Sequence, residues 1–190
     1  MKTLISVCLL LLLIGCAAPP TSTAPVKAPV KAPVKAPVKA PVTAPIYKTK
    51  AKFDRKDVSW IDDEGTASVS GDSFLRQKGG GLVTCAGIPV YLFPAGAYAD
   101  ERMFAIYVSN NKGFILGSPK IDKADPDYLL ASKNTVCDVG GRFKFNRLAA
   151  GNYYVLTKVS WQIGYELQGA ALMQKVSLDE GQTLEITVTR

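Results

Sequence analysis

The 190-residue sequence predicts an all-β fold, a single sandwich of about seven short strands over residues 59–190. Two observations carry that prediction. Residues Tyr153 to Ile163 alternate with period 2, placing Tyr153, Val155, Thr157, Val159, Trp161 and Ile163 on one face of a strand and Tyr154, Lys158, Ser160 and Gln162 on the other, with Leu156 as the exception. From about Ser59 onward, further short apolar alternations are separated by clusters of Gly, Asn and Asp. The glycine patterns of nucleotide-binding α/β folds are missing: Gly79-Gly80-Gly81 has neither the lysine nor the spacing of a phosphate loop.

The chain opens with Met1-Lys2-Thr3 and an 11-residue apolar run, Leu4 to Ile14. A bilayer-spanning helix needs about 20 apolar residues, so this run has the length of the apolar core of a signal peptide. Residues 1–15 are therefore expected to be a leader, and Cys8 to leave with it.

A four-residue repeat follows. Ala-Pro-Val-Lys starts at Ala24, Ala28, Ala32 and Ala36, then Ala-Pro-Val-Thr at Ala40, and Ala44-Pro45-Ile46 ends it. Proline at every fourth position removes backbone donors and restricts the residue before it, which excludes helix and sheet. The expected state is extended polyproline II, reaching roughly 70 Å over residues 24–46. Residues 16–58 are expected to form this linker.

Charge is unevenly placed. The chain holds 23 basic and 16 acidic residues, but Lys2 lies in the leader and seven lysines (Lys27, Lys31, Lys35, Lys39, Lys48, Lys50, Lys52) lie in the linker, so residues 53–190 are one charge negative. A body of that balance argues against nucleic acid as a partner. The absence of histidine excludes histidine general acid–base chemistry and histidine-ligated zinc.

Within the body, Ala67–Leu75 is the expected first strand, Ile88, Val90 and Leu92 mark a second, and Phe143 and Phe145 alternate with Lys144 and Asn146 in a third. Leu172, Val176 and Leu178 suggest a strand whose face Gln174 interrupts, and Leu184, Ile186 and Val188 make the last. Asp138-Val139-Gly140-Gly141, Ala150-Gly151-Asn152 and Asp179-Glu180-Gly181-Gln182 supply turns. In an exported protein Cys85 and Cys137 are expected to pair, closing a loop of about 50 residues and contributing about 4 kcal/mol by the chain-entropy estimate. Two free buried thiols are the alternative.

Two resemblances add to this reading. Leu13-Ile14-Gly15-Cys16 resembles the bacterial lipobox, which implies diacylglycerol on the Cys16 thiol, cleavage before it, and a durable membrane anchor through several acyl chains. Ala17, where an aspartate would favour inner-membrane retention, implies the outer membrane, with the domain facing the periplasm. Second, the string from Cys137 to Val155, with Asp138, Gly141, Phe143, Phe145, Leu148, Gly151, Tyr153 and Val155, resembles carboxypeptidase regulatory-like domains, with Cys137 standing where those have threonine. Ala86 to Leu92, and Val176-Ser177-Leu178 with Gly181-Gln182, resemble their flanking strands. This resemblance implies a transthyretin-like (prealbumin-like) Greek-key sandwich and no catalytic residues.

The stretch Pro94–Thr135 departs from that compact pattern and is long enough to be functional. A short helix is expected over Ala97–Val108, where Tyr98, Phe104 and Tyr107 either cap an open end of the sandwich or form an apolar partner surface. The carboxylates Asp122, Asp125 and Asp127, like Asp62-Asp63-Glu64, read as solvated acidic loops without the spacing of a calcium loop. No catalytic residue, metal ligand or cofactor is assigned, and the protein is not expected to be an enzyme. The expected function is a lipid-anchored envelope lipoprotein presenting an interaction module on a stalk, with envelope proteins or peptidoglycan as partners. The alternatives are a structural subunit of an envelope or secretion assembly and a carbohydrate- or peptidoglycan-binding domain.

Overall fold

The computed structural model describes residues 45–190. The leader, Cys16 and nearly all of the repeat lie outside the described residues. Two sheets make a β-sandwich. In the four-stranded sheet, β1 (Ala67–Arg76) is central: it pairs antiparallel with β2 (Leu82–Thr84) and β6 (Arg142–Leu148), and parallel with the last strand, β9 (Thr183–Val188). The other sheet runs in the order β4 (Lys112–Ile115), β8 (Glu166–Leu178), β7 (Gly151–Ile163), β3 (Pro89–Pro94), β5 (Lys133–Val136), antiparallel throughout.

The expected strands are present, and β2, β4 and β5 are additional. Their three to four residues are too few to show a period in the sequence. The main core lies between the sheets. Val69, Phe143, Phe145 and Ile186 from one sheet meet Val90, Leu92, Tyr153, Val155, Val159 and Leu172 from the other. The predicted inward face of β7 is therefore correct as far as Trp161, which packs half-buried against this core. Ile163 is exposed because β7 and β8 pair out to Ile163↔Glu166, whereas β3 and β4 accompany them only between Pro94↔Tyr153 and Ile115↔Ala171. The hairpin thus ends as a two-stranded arm.

Period 2 in β7 predicts one buried face, but the structure buries both in the strand's first half. Helix α1 (Ala97–Tyr107) and the single turn α2 (Pro126–Leu130), both from the 94–135 insertion, pack on the outer face of the five-stranded sheet. There Phe93, Tyr98, Met103, Tyr107, Tyr128, Tyr154 and Met173 form a second core, in which Phe53 also packs. The insertion covers a sheet face; it does not cap an end of the sandwich.

The folded part also starts before Ser59. Tyr47 bridges Ile121 in parallel. Phe53 sits edge-on to Tyr98 and Tyr128, with ring centroids 5.8 and 5.5 Å apart. Residues Arg55–Asp62 form two short 3-10 turns joined at Val58, and they bring Trp60 edge-on to Tyr153 at 4.9 Å. That approach needs glycine at residue 151, where a Cβ would lie 2.6 Å from the Trp60 ring. Aromatic and apolar side chains without prolines explain why the linker assignment shortens here: Phe53 and Val58 have surface to bury.

Candidate functional site

Segment 47–52 lies along α1 as a strap. Glu101 Oε1 accepts the Tyr47 hydroxyl at 2.7 Å and the Lys50 N–H at 2.9 Å, and Oε2 accepts the Ala51 N–H at 2.7 Å. These backbone donors hold the Glu101 carboxyl below its ordinary pKa. Asp122 accepts from the Thr49 hydroxyl (2.7 Å) and N–H (3.1 Å), and those bonds with Arg102 lower its pKa too. Arg102 is 5% exposed; its guanidinium donates to Thr49 Oγ1, Asp122 Oδ1 and the Asp122 carbonyl at 2.8–2.9 Å. The chain arriving from the proline repeat is thus clasped by three side chains of the insertion.

The acidic groups singled out in the sequence separate into distinct structural tasks. Asp122 holds the strap, and Asp125 caps α2 by accepting the Asp127 N–H at 2.9 Å. Asp62 pairs with Arg55 at 2.6 Å, and Glu64 with Arg147 at 3.4 Å. Cys85 and Cys137 form a disulfide, with Cα atoms 5.8 Å apart. Of the three aromatics of the expected partner surface, Tyr98 and Tyr107 are buried and belong to the second core, so they are not a surface; only Phe104 faces solvent. The reason is helical spacing: Tyr98, Arg102 and the neighbouring Ala99, Met103 and Tyr107 fall on the inward stripe, and Phe104 falls outside it.

Within the second core, Tyr154 donates its hydroxyl to Asp100 Oδ1, which also accepts from Lys175 Nζ at 2.9 Å. Burial, reinforced by the bond to Asp100, raises the Tyr154 pKa, so the phenol stays protonated. Every group of this cluster is occupied by another, which makes it a structural joint.

The open surface lies beside the covered one. The insertion covers the outer sheet face at Phe93, Tyr154 and Met173; Tyr91, Leu156 and Lys158 continue the same face outward. Tyr91 is 41% exposed and ends a row of rings. Its centroid is 6.1 Å from Phe93, which stacks on Tyr128 at 4.7 Å, which in turn sits edge-on to Tyr98 at 5.0 Å. The exposed ring is therefore braced by a packed aromatic stack. A depression of about 400 Å³ opens against Ile88, Pro89, Tyr91, Leu156, Thr157 and Lys158. A second, of about 280 Å³, lies between the Gly117–Pro119 turn and strand β8, and Lys158 borders both.

Two further depressions border the strap. One, beside Phe53 and Val58, has only about 10 Å³ and admits no ligand. The other, about 300 Å³, is lined by Thr49, Asp122 and Asp125, whose polar atoms are engaged in the strap and the α2 cap, and by Lys52 and Lys123; its rings, Phe53 and Tyr98, belong to the second core. The Tyr91–Lys158 surface is the better candidate because its aromatic ring is exposed and no acidic residue lines it beside its lysine. The sequence signal for it is slight: Tyr91 is the outward residue between inward Val90 and Leu92, and Lys158 an ordinary outward lysine.

No protein-family model matches the chain, and no curated protein matches it. Among solved structures, PA1324 of Pseudomonas aeruginosa, described as a candidate carbohydrate-binding protein, superposes with a TM-score of 0.61 at 20% identity, covering 74% of this chain and 99% of that one. GBS52, a minor pilin of Streptococcus agalactiae, aligns with a TM-score of 0.35 at 18% identity over 67% of this chain and 44% of that one, too loosely to bear on the fold. The likeness to PA1324 establishes a shared β-sandwich fold.

Proposed function

We propose that the chain is a lipid-anchored bacterial envelope lipoprotein whose β-sandwich is a non-catalytic carbohydrate-binding module carried on a proline-rich stalk. The observation that carries the binding half is Tyr91, a half-exposed ring at the end of a braced aromatic row, over a shallow apolar depression on an open sheet face. A flat ring held in place offers apolar surface to the C–H face of a sugar without an entropic cost of ordering it. The description of PA1324 as a candidate carbohydrate binder supports the same reading. The tether rests on the lipobox-like Leu13–Cys16 and on the repeat behind it.

Two experiments test the halves separately. Cys16→Ser should move the full chain from the membrane to the soluble fraction; persistent membrane association contradicts the tether. The full chain should co-sediment with purified peptidoglycan sacculi or another insoluble polysaccharide, and should continue to do so when Lys27, Lys31, Lys35 and Lys39 are replaced by glutamine. Loss of co-sedimentation in that variant assigns binding to the stalk and overturns the module.

A second reading, a subunit of an envelope assembly, has one observation in its favour. The arm of the β7–β8 hairpin carries Ile163, Tyr165 and Leu167 exposed at its end. Stable co-purification with membrane subunits, lost on replacing these three by serine, would select it.

A further inference from the structure

We propose that the open half of the outer sheet face binds a glycan strand whose sugars carry carboxylates, one pyranose ring lying on Tyr91 and a sugar carboxylate meeting Lys158. This assignment rests on the carbohydrate-binding reading and names its ligand class and register. Three observations carry it.

The first is charge. Among all residues lining the two depressions, Lys158 is the only charged one. Among the described residues it forms no ion pair, unlike Lys175 on the neighbouring strand, which holds Asp100. A lone ammonium at the junction of two depressions, with no acidic residue lining either, matches an anionic group of the ligand. Such a charge-assisted hydrogen bond is about twice as strong as a neutral one. One cation is too few for the phosphate contacts that drive nucleic-acid binding.

The second is length. The depressions of about 400 and 280 Å³ lie on either side of Lys158, so the ligand spans several units and passes the lysine midway. Tyr91 provides the apolar platform on one side. On the other, Ser118 lines the trough with a neutral hydrogen-bonding group.

The third is the floor. Gly169 and Ala171 keep the second depression open next to Lys158. Gly169 has φ of +133°, and a Cβ there would lie 2.1 Å from the Val159 carbonyl oxygen. The backbone itself therefore fixes a small residue at this point, and a polymer chain can run close to the sheet.

The test is calorimetric titration of the detergent-purified full chain with two probes. One is the peptide-free tetrasaccharide of alternating N-acetylglucosamine and N-acetylmuramic acid, which carries lactyl carboxylates. The other is chitotetraose, the same β-1,4 backbone without them. The wild type should prefer the carboxylated probe about tenfold, and about 0.5 M salt should reduce that preference. Tyr91→Ala should weaken both probes at least about tenfold. Lys158→Gln should equalise the two and retain chitotetraose binding. Both side chains face solvent, and an unchanged urea midpoint checks that each variant folds. If the wild type binds a probe but Tyr91→Ala or Lys158→Gln leaves its affinities unchanged, the site is wrong while the carbohydrate reading stands. If the wild type binds neither these probes nor any insoluble polysaccharide, the carbohydrate reading fails and takes the site with it.

Discussion

Tyr153 and Tyr154 are consecutive residues of β7, both are fully buried, and they belong to different cores. Tyr153 points between the sheets, lies under Trp60, and donates its hydroxyl to the Ala149 carbonyl at 2.8 Å. Tyr154 points to the opposite face, under α1, and donates to Asp100. Such a pair makes β7 the shared wall of the two cores, so the insertion and the sandwich should unfold together.

The first prediction tests that wall. Tyr154→Ala should cost about 3–5 kcal/mol, as for a large aromatic removed from a packed core. A solvent-facing tyrosine would cost only about 0.5 kcal/mol or less. Tyr154→Phe should cost about 1 kcal/mol, because Lys175 still pairs with Asp100 and only one hydrogen bond is lost. Tyr153→Phe should cost a similar amount, about 1 kcal/mol, by leaving the Ala149 carbonyl without its donor. Urea denaturation monitored by far-UV circular dichroism and by tyrosine fluorescence should give coincident transitions. Separate transitions would show that the second core is an independent unit.

The second prediction concerns the disulfide. Cys85 and Cys137 are 52 residues apart in the chain and almost wholly buried. The bridge joins the residue after β2 to the residue after β5, so it ties one sheet to the other. Replacing both cysteines by alanine should lower stability by about 4 kcal/mol, the chain-entropy value for a loop of this length. Native protein should resist reduction by dithiothreitol in the absence of denaturant and become reducible in urea, which alkylation and mass spectrometry can follow.

The strands of the main core were legible because a period of two ties residue order to a face: Val90 and Leu92, Phe143 and Phe145, Tyr153 and Val155 all sit where alternation places them. Tyr154 was not legible. Its burial depends on Tyr98 and Met103, some 50 residues earlier, returning onto the sheet through a helix whose destination no local pattern encodes. Arg102 shows the same limit: a charged residue in a helix reads as solvated until Thr49, 53 residues before it, and Asp122, 20 residues after it, enclose its guanidinium. The candidate site is legible only in part for a related reason. Tyr91 and Lys158 are outward residues of two good strands, and only the cover that α1 and α2 place on the rest of the face makes their half distinctive.

The third prediction is a pH dependence of the strap. Glu101 and Asp122 have pKa values held below their ordinary 4.5 and 3.8. A carboxylate with a lowered folded pKa binds fewer protons folded than unfolded, so its stabilisation is fully present above the ordinary value and disappears as pH falls through the lowered one. The strap should therefore stay closed throughout the neutral range and loosen only below about pH 4. In NMR titrations the Lys50 and Ala51 amide protons should shift with the Glu101 carboxyl, at a midpoint under 4.5. Glu101→Gln should abolish that titration and increase hydrogen exchange at both amides at neutral pH. A midpoint at or above the ordinary value would contradict the clasp.

The fourth prediction turns on Val108. It caps the C-terminus of α1 with φ of +55° and ψ of +28°, and its N–H bonds to the Phe104 carbonyl. A left-handed conformation closes a helix well when the residue is glycine, but a β-branched side chain is forced against its own backbone there. Val108 is 78% exposed and gains almost nothing from packing in return. Val108→Gly should raise stability by up to about 1 kcal/mol, since relief of the steric clash exceeds the extra backbone freedom glycine brings to the unfolded chain. Val108→Asn should give a smaller gain, because asparagine tolerates this region without matching glycine. Urea midpoints of the two variants against the wild type measure both effects. Loss of stability in both variants would mean that the strain at Val108 is smaller than the packing it retains and the unfolded-state freedom that the substitutions add.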